Sequence, residues 1–161
     1  MQTFLPYPSF VESARCLDNR RLNKQITECK QIALAISDPS YGWQHHPAVE
    51  MWRECLPALL SYGLEMYLEW TQRFDDGRRG GKRDHKAGEW LITKCHTIDS
   101  ETKARYKNPS WLYNPAFHAS HRAALLFKDP EWYGQFGWSE PPAAPDEKGR
   151  LPYVWPGKGR L

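Results

Sequence analysis

Pro47-Ala-Val-Glu-Met-Trp-Arg-Glu-Cys-Leu-Pro-Ala-Leu-Leu-Ser-Tyr-Gly-Leu-Glu-Met-Tyr-Leu-Glu-Trp70 decides the fold class of this chain. Val49, Trp52, Leu56, Leu59, Gly63, Met66 and Trp70 recur at steps of three and four, which places them on one helical face. Proline suits the first position because its fixed φ is already helical and its missing N–H has no partner there. The pattern predicts one helix from Pro47 to about Phe74, kinked at Pro57, where an interior backbone hydrogen bond is lost. Leu22, Ile26, Cys29, Ala33 and Ile36 form a second stripe, capped at its start by Asp18 and stopped by Asp38-Pro39. The short connection predicts antiparallel packing of these two helices.

Working outward, Phe117 to Phe127 forms a third amphipathic pattern. Met1 to Pro8 is extended, since two prolines within three residues forbid a helix there. Ser9 or Ser13 caps a short helical turn through Arg15, and Lys86 to Lys94 forms another short helix. Asp75 to His85 and Ile98 to Pro109 are polar, charged loops within a loop-rich insertion over residues 75–109. Asp129-Pro130-Glu131 opens an aromatic turn, and the chain ends in a coil containing Leu151-Pro-Tyr-Val-Trp-Pro156. No β alternation or repeat is present. The expected fold is mainly α: a single domain over 1–161, a compact bundle of about three main helices with an extended N-terminus and a Pro/Trp-rich C-terminal coil.

A hydrophobic content of 40% with 14% aromatics excludes a disordered chain of this length. Eight tryptophans are too many for every indole to be fully buried. The net charge of +3 is mild, yet Arg15, Arg20, Arg21 and Lys24 cluster, as do Arg78, Arg79, Lys82, Arg83 and Lys86. Such clumps suit a phosphate backbone better than the total charge suggests. Cys16, Cys29, Cys55 and Cys95 lie far apart, which excludes the common zinc patterns and fits free thiols. With no signal-like start and no run of membrane-spanning length, a cytoplasmic protein without a membrane partner is expected.

Three segments are candidates for chemistry. In Tyr41-Gly-Trp-Gln-His-His46, Trp43, His45 and His46 adjoin a helix start, where free N–H groups favour an anion. An indole and imidazoles there suit a base and a phosphate, or they merely cap and pack the helix entry. His118 and His121 share a helix face; without an accompanying acid, and with Arg122 alongside, they suit phosphate donation or core hydrogen bonding better than a metal. Arg20, Arg21, Lys24 and Gln25 form a helix face on which Arg20 and Lys24 are like-charged neighbours. A nucleic-acid phosphate relieves that repulsion, and a solvated face is the alternative.

These residues carry a resemblance. Met1-Gln-Thr-Phe-Leu-Pro-Tyr-Pro8, Leu17-Asp-x-Arg-Arg-Leu-x-Lys-Gln25, Gly42-Trp-x-x-His-Pro-Ala-Val-x-Met-Trp52, His118-Ala-Ser-His121, Lys128-Asp-Pro-Glu-Trp-Tyr133 and Leu151-Pro-Tyr-Val-Trp155 together resemble a bacterial branch of the pyrimidine-dimer DNA glycosylase family, to which phage endonuclease V belongs. The resemblance implies that an N-terminal α-amine attacks the sugar carbon of a damaged nucleotide, releases the base and leaves an imine that can eliminate. It also implies a helical carboxylate assisting the amine, and basic side chains holding kinked DNA with a base flipped out. Gln2 hinders removal of the initiator methionine, so the amine belongs to Met1. Leu22 follows Arg20-Arg21 where the characterised enzymes place Arg-Glu, so Asp18 or Glu28 must supply the carboxylate, with Asp18 expected beside the amine. The implied catalytic set is Met1, Gln2, Asp18 and Arg21. The implied DNA contacts are Arg20, Lys24, Gln25, Trp43, His45, His46, Trp52, His118, His121 and Arg122. No metal or cofactor is expected, and the partner is double-stranded DNA with a damaged or modified base, bound by a monomer. A DNA glycosylase, with or without AP lyase activity, leads; a noncatalytic nucleic-acid-binding module and a histidine-centred hydrolase on a nucleotide or small molecule remain as alternatives.

Overall fold

The computed structural model describes residues 1–74, 85–98 and 108–156. Among these, the helices are α1 (Phe10–Cys16), α2 (Asn19–Ser37), α3 (Pro47–Trp52), α4 (Leu56–Phe74), α5 (Lys86–Thr97), α6 (Pro115–Lys128) and α7 (Pro130–Tyr133). Short 3-10 turns cover Ser110–Tyr113 and Gly134–Phe136, and no strand occurs among the described residues. The mainly α class therefore holds; seven helices occur among the described residues, and the twelve-residue α5, expected as a short helix over Lys86 to Lys94, joins the long elements. Most of the charged loops read at 75–85 and 98–109 lies outside the described residues.

Local chemistry accounts for the helix ends. Ser9 Oγ accepts from Glu12 N at 3.2 Å, and Asp18 Oδ1 accepts from Arg21 N at 3.0 Å. Each satisfies one of the orphan donors of a first turn. His46 and Asn114 cap α3 and α6 in the same way, each ahead of a proline. The expected single helix over 47–74 is instead two helices, separated at Arg53 to Cys55. Pro57 explains the break: in a continuous helix it offers no N–H to the carbonyl of Arg53, and its ring collides with that carbonyl. Restarting the helix at Leu56 puts Pro57 in a first turn, where its missing donor costs nothing.

Helices α2 and α4 are antiparallel. Cys29 meets Gly63 near their middles, while Arg73, near the end of α4, reaches Asn19 at the start of α2. Gly63 permits this approach, since an added Cβ would stand 3.0 Å from Cys29 Cβ and 3.0 Å from Leu91 Cδ1 of α5. The Arg73 guanidinium donates to the carbonyls of Ala14, Arg15 and Leu17 at 3.2, 2.9 and 2.7 Å, satisfying the open end of α1. Trp52, expected to stack on DNA, is fully buried against Trp111 and Tyr62. Its indole N–H donates to Thr3 Oγ1 at 3.0 Å, so it is a core residue.

Gln2 to Pro6 threads through the middle of this bundle as a buried extended segment. With no strand beside it, its backbone groups need side-chain partners. Phe4 N donates to Gln25 Oε1 at 2.8 Å and Leu5 N to His121 Nδ1 at 3.0 Å. The Tyr62 hydroxyl donates to Phe4 O at 2.8 Å, and the Arg122 guanidinium to Pro6 O at 2.7 Å. His118 Nδ1 lies 2.7 Å from Leu5 O.

Overpacking at the three-helix contact gives a direct test. Gly63→Val should destabilise the fold by about 1–3 kcal/mol. Gly134→Ala, where an added Cβ meets nothing within 4 Å, should stay within about 0.5 kcal/mol of wild type. Denaturant unfolding of the two variants checks the contrast.

Candidate active site

The threaded segment delivers the chain's first nitrogen to the face of α2. Met1 is partly exposed although its side chain is only 4% exposed, so water reaches mainly its backbone. The Met1 nitrogen lies 3.9 Å from Glu28 Oε1, and Lys24 Nζ lies 3.6 Å from the same oxygen. The other carboxylate oxygen accepts from Gln2 N at 3.1 Å and from Gln25 Nε2 at 3.2 Å. Helical spacing makes the cluster possible, because residues 24, 25 and 28 lie within one turn. Gln25 is itself oriented: its Oε1 accepts from Phe4 N and shares the single Tyr62 hydroxyl proton with Phe4 O, 2.9 Å from the hydroxyl, which turns its amide N–H toward Glu28. Gln2 is buried, and its side-chain oxygen accepts from Thr3 N at 2.9 Å.

Glu28, rather than Asp18, is the carboxylate beside the amine. Asp18 is committed to capping α2, three turns away along the helix. Its Oδ2 accepts from Arg21 at 2.6 Å and from the Tyr133 hydroxyl at 2.6 Å. Burial pushes the Asp18 carboxyl up, but the Tyr133 and Arg21 hydrogen bonds outweigh it and hold the group below the usual carboxylate range. Arg21 also approaches Asp129 at 3.5 Å, donates to Lys128 O at 3.1 Å and lies 5.5 Å from the centre of the Tyr133 ring. This brace ties the start of α2 to the end of α6. Lys128 lies in the same field: partial desolvation, with the charges of Arg21 and Lys24, lowers its pKa against the pull of Glu28. Lys24 and the amine therefore flank the Glu28 carboxylate and Lys128 feels its charge, while Arg20 stands exposed on the next face.

Several residues expected to touch DNA are turned inward. Gln25, His118 and His121 are buried, and half-buried Arg122 pairs with Glu140 while holding Pro6. His118 Nε2 faces Leu112 O at 2.6 Å, so both of its ring nitrogens meet backbone carbonyls. These four side chains satisfy the backbone of the N-terminal segment and its surroundings, and their polar atoms are not offered to a ligand. Among the described residues, no three His, Cys, Asp or Glu side chains gather to hold a metal ion, and no helix is long and apolar enough to cross a membrane. Four free cysteines match the spacing argument.

The loop before α3 does face outward. His45 is exposed, His46 Nδ1 accepts from Ala48 N at 3.1 Å, and Trp43 projects into solvent. The returning C-terminal coil links this loop to the amine. Tyr153 packs on Phe4 and His121 with ring centres 6.4 and 5.4 Å away, and Val154 N donates to Ser120 Oγ at 3.1 Å. Burial pushes the Tyr153 phenol up to about 12. Glu28, the alternative carboxylate in the sequence, thus takes the place expected of Asp18, and Lys128 and Tyr153 are nearby residues that the sequence does not single out. Glu28 was accessible from its spacing to Lys24 and Gln25. Tyr153 had no local signal, because its place depends on how the coil returns.

The model of the family described as pyrimidine dimer DNA glycosylase matches residues 1–80. No curated protein and no solved structure matches the chain.

The His121 anchor has a pH signature. Burial, and next the charge of His118, push its pKa down to about 3, and its Nδ1 lone pair is occupied by Leu5 N–H. The unfolded chain takes up this proton near pH 6.5, whereas the folded chain resists it until about pH 3. The contribution is complete above pH 6.5 and is lost as pH falls below it, at about 1.4 kcal/mol per pH unit. His121→Gln, which retains an acceptor for Leu5 N, should flatten this part of the slope when unfolding is compared at pH 7 and pH 5.

Proposed function

Residues 1–80 place the chain in the pyrimidine dimer DNA glycosylase family, and on that premise we propose that it releases a damaged or modified base from DNA, with the α-amine of Met1 as nucleophile and Glu28 as its carboxylate. The observation that carries this reading is the 3.9 Å approach of the Met1 nitrogen to Glu28 Oε1, beside Lys24, at the end of a buried and immobilised segment. Ordering a chain end costs about 1–2 kcal/mol per residue in backbone entropy. Here seven side chains from four helices are aligned to do it, through the hydrogen bonds of Glu28, Gln25, His121, Tyr62, Arg122, His118 and Trp52.

In the proposed reaction the target nucleotide leaves the base stack, which brings its sugar to the amine. The neutral amine forms a bond to the sugar C1′ as the bond from C1′ to the base breaks. The base leaves with that electron pair and is protonated. Glu28 Oε1 accepts the proton shed by the attacking nitrogen and, as an anion, stabilises positive charge developing on the sugar. A separation of 3.9 Å is long for proton transfer and tightens when substrate orders the site. Ring opening then converts the adduct to an imine, from which elimination of the 3′ phosphate cuts the strand; this second step is the AP lyase activity. Arg20, Lys24 and Lys128 hold the flanking phosphates of double-stranded DNA, bound by a monomer without a metal or cofactor.

Glu28→Gln keeps an acceptor for Gln2 N and should lower base release by about two to four orders of magnitude with DNA affinity within a few-fold of wild type. Acetylating Met1, or adding one residue before it, should abolish borohydride trapping on duplex containing an aldehydic abasic site. Undiminished base release by the blocked protein rejects the amine. Arg20→Ala combined with Lys128→Ala should flatten the salt dependence of DNA binding by about 0.9 per lost phosphate contact.

A further inference from the structure

The loop between α2 and α3 holds an indole in water at a conformational cost. Trp43 is 63% exposed, and its φ of +73° is the one left-handed value at a non-glycine residue among the described residues. For a bulky side chain that conformation is disfavoured, and it persists only where the surroundings impose it. The surroundings here do so. Gln44 Nε2 donates to the carbonyls of Ala35, Asp38 and Tyr41 at 2.7, 2.9 and 3.1 Å, which pins the loop to the end of α2. Arg53 donates to Gln44 O at 2.6 Å, and His46 N to Trp43 O at 2.9 Å. Gln44 and the carbonyls of Tyr41 and Trp43 are clamped while the indole itself is left outside.

The ring is also in line with the site. Trp43 meets His46 edge-on at 5.8 Å, His46 meets Trp155 at 6.2 Å, and Trp155 meets Tyr153 at 5.8 Å. Tyr153 rests on Phe4 and feels the charges of Arg21 and Glu28. Three ring-to-ring steps therefore lead from Trp43 to Tyr153, which keeps the indole within about five nucleotides of that ring at ~3.4 Å per nucleotide of strand. An exposed, rigidly presented aromatic at that distance suits a stacked base, which has a π-face whatever its sequence.

We infer that Trp43 is a wedge that stacks on a base of the duplex within about five nucleotides of the displaced one, so that it positions the substrate without touching the reacting atoms. The inference rests on the DNA reading above but not on the identity of the nucleophile. The full chain binds a duplex carrying a tetrahydrofuran abasic site, which cannot form an imine, with 2-aminopurine placed in turn at each position up to about five nucleotides to either side. Wild type should change the 2-aminopurine emission on binding. Trp43→Gly should abolish that change and weaken affinity for this duplex about ten-fold, a loss typical of one stacked base, while affinity for undamaged duplex stays unchanged. Glycine accepts a φ of +73°, so this variant should be at least as heat-stable as wild type. Trp43→Phe should recover most of the emission change. A wild-type emission change in Trp43→Gly, or its absence in wild type, overturns the wedge. So does a lower Tm for Trp43→Gly, which would make the indole a structural support. An equal loss of affinity for damaged and undamaged duplex overturns it as well. Loss of borohydride trapping only when the amine is blocked, with this fluorescence behaviour intact, separates the wedge from the nucleophile.

Discussion

A buried extended segment without a sheet is the constraint on which this structure depends. Backbone amides and carbonyls inside a protein must be paired, and Gln2 to Pro6 has no strand beside it to pair with. The bundle meets the demand with side chains. Gln25 and Glu28 come from α2, Tyr62 from α4, and His118, His121 and Arg122 from α6. Each of these groups would be costly to bury alone, and each finds a partner in the segment that passes between them. The polar core and the threaded segment therefore require one another.

That requirement shapes the site. Helix α2 supplies both its inner and outer parts: Gln25 and Glu28 point to the segment, while Arg20 and Lys24 point to solvent. Lys24 bridges the two, since it is exposed along most of its length yet reaches Glu28 at 3.6 Å. The carboxylate thus meets two cations and two N–H donors at once. Such a crowded carboxylate is well oriented, and it lies on a helix whose start is braced by Asp18, Arg21 and Tyr133. The charged side chains that do not face the amine serve to hold still the ones that do.

A division of labour among aromatic residues follows from the same geometry. Trp52, Trp111 and Phe117 stack at the centre of the core, with centres 4.8 and 5.0 Å apart. Tyr153, Trp155, His46 and Trp43 instead run along the surface from the threaded segment to the loop before α3. The high tryptophan content is thereby split between packing and presentation, and only a small part of it is fully exposed to water.

Much of the local structure was written in the chain. The caps at Ser9 and Asp18, the stripes of α2 and α4, the proline starts of α3 and α6 and the cationic face around Arg20 all follow from spacing and propensity, which are short-range properties. The placement of Pro57 was misjudged only in degree, because whether a proline kinks a helix or splits it depends on the packing around it. What the tertiary structure alone decided is which polar residues face inward. Gln25, His118 and His121 carry the same composition signal as surface binding residues, and Trp52 the same signal as a stacking platform. Their burial is set by a segment more than twenty residues away from Gln25, and more than a hundred away from His118 and His121. Glu28 rather than Asp18 lies at the amine for the same reason. Periodicity tells which side chains share a helix face, whereas the partner that arrives at that face is fixed by long-range packing.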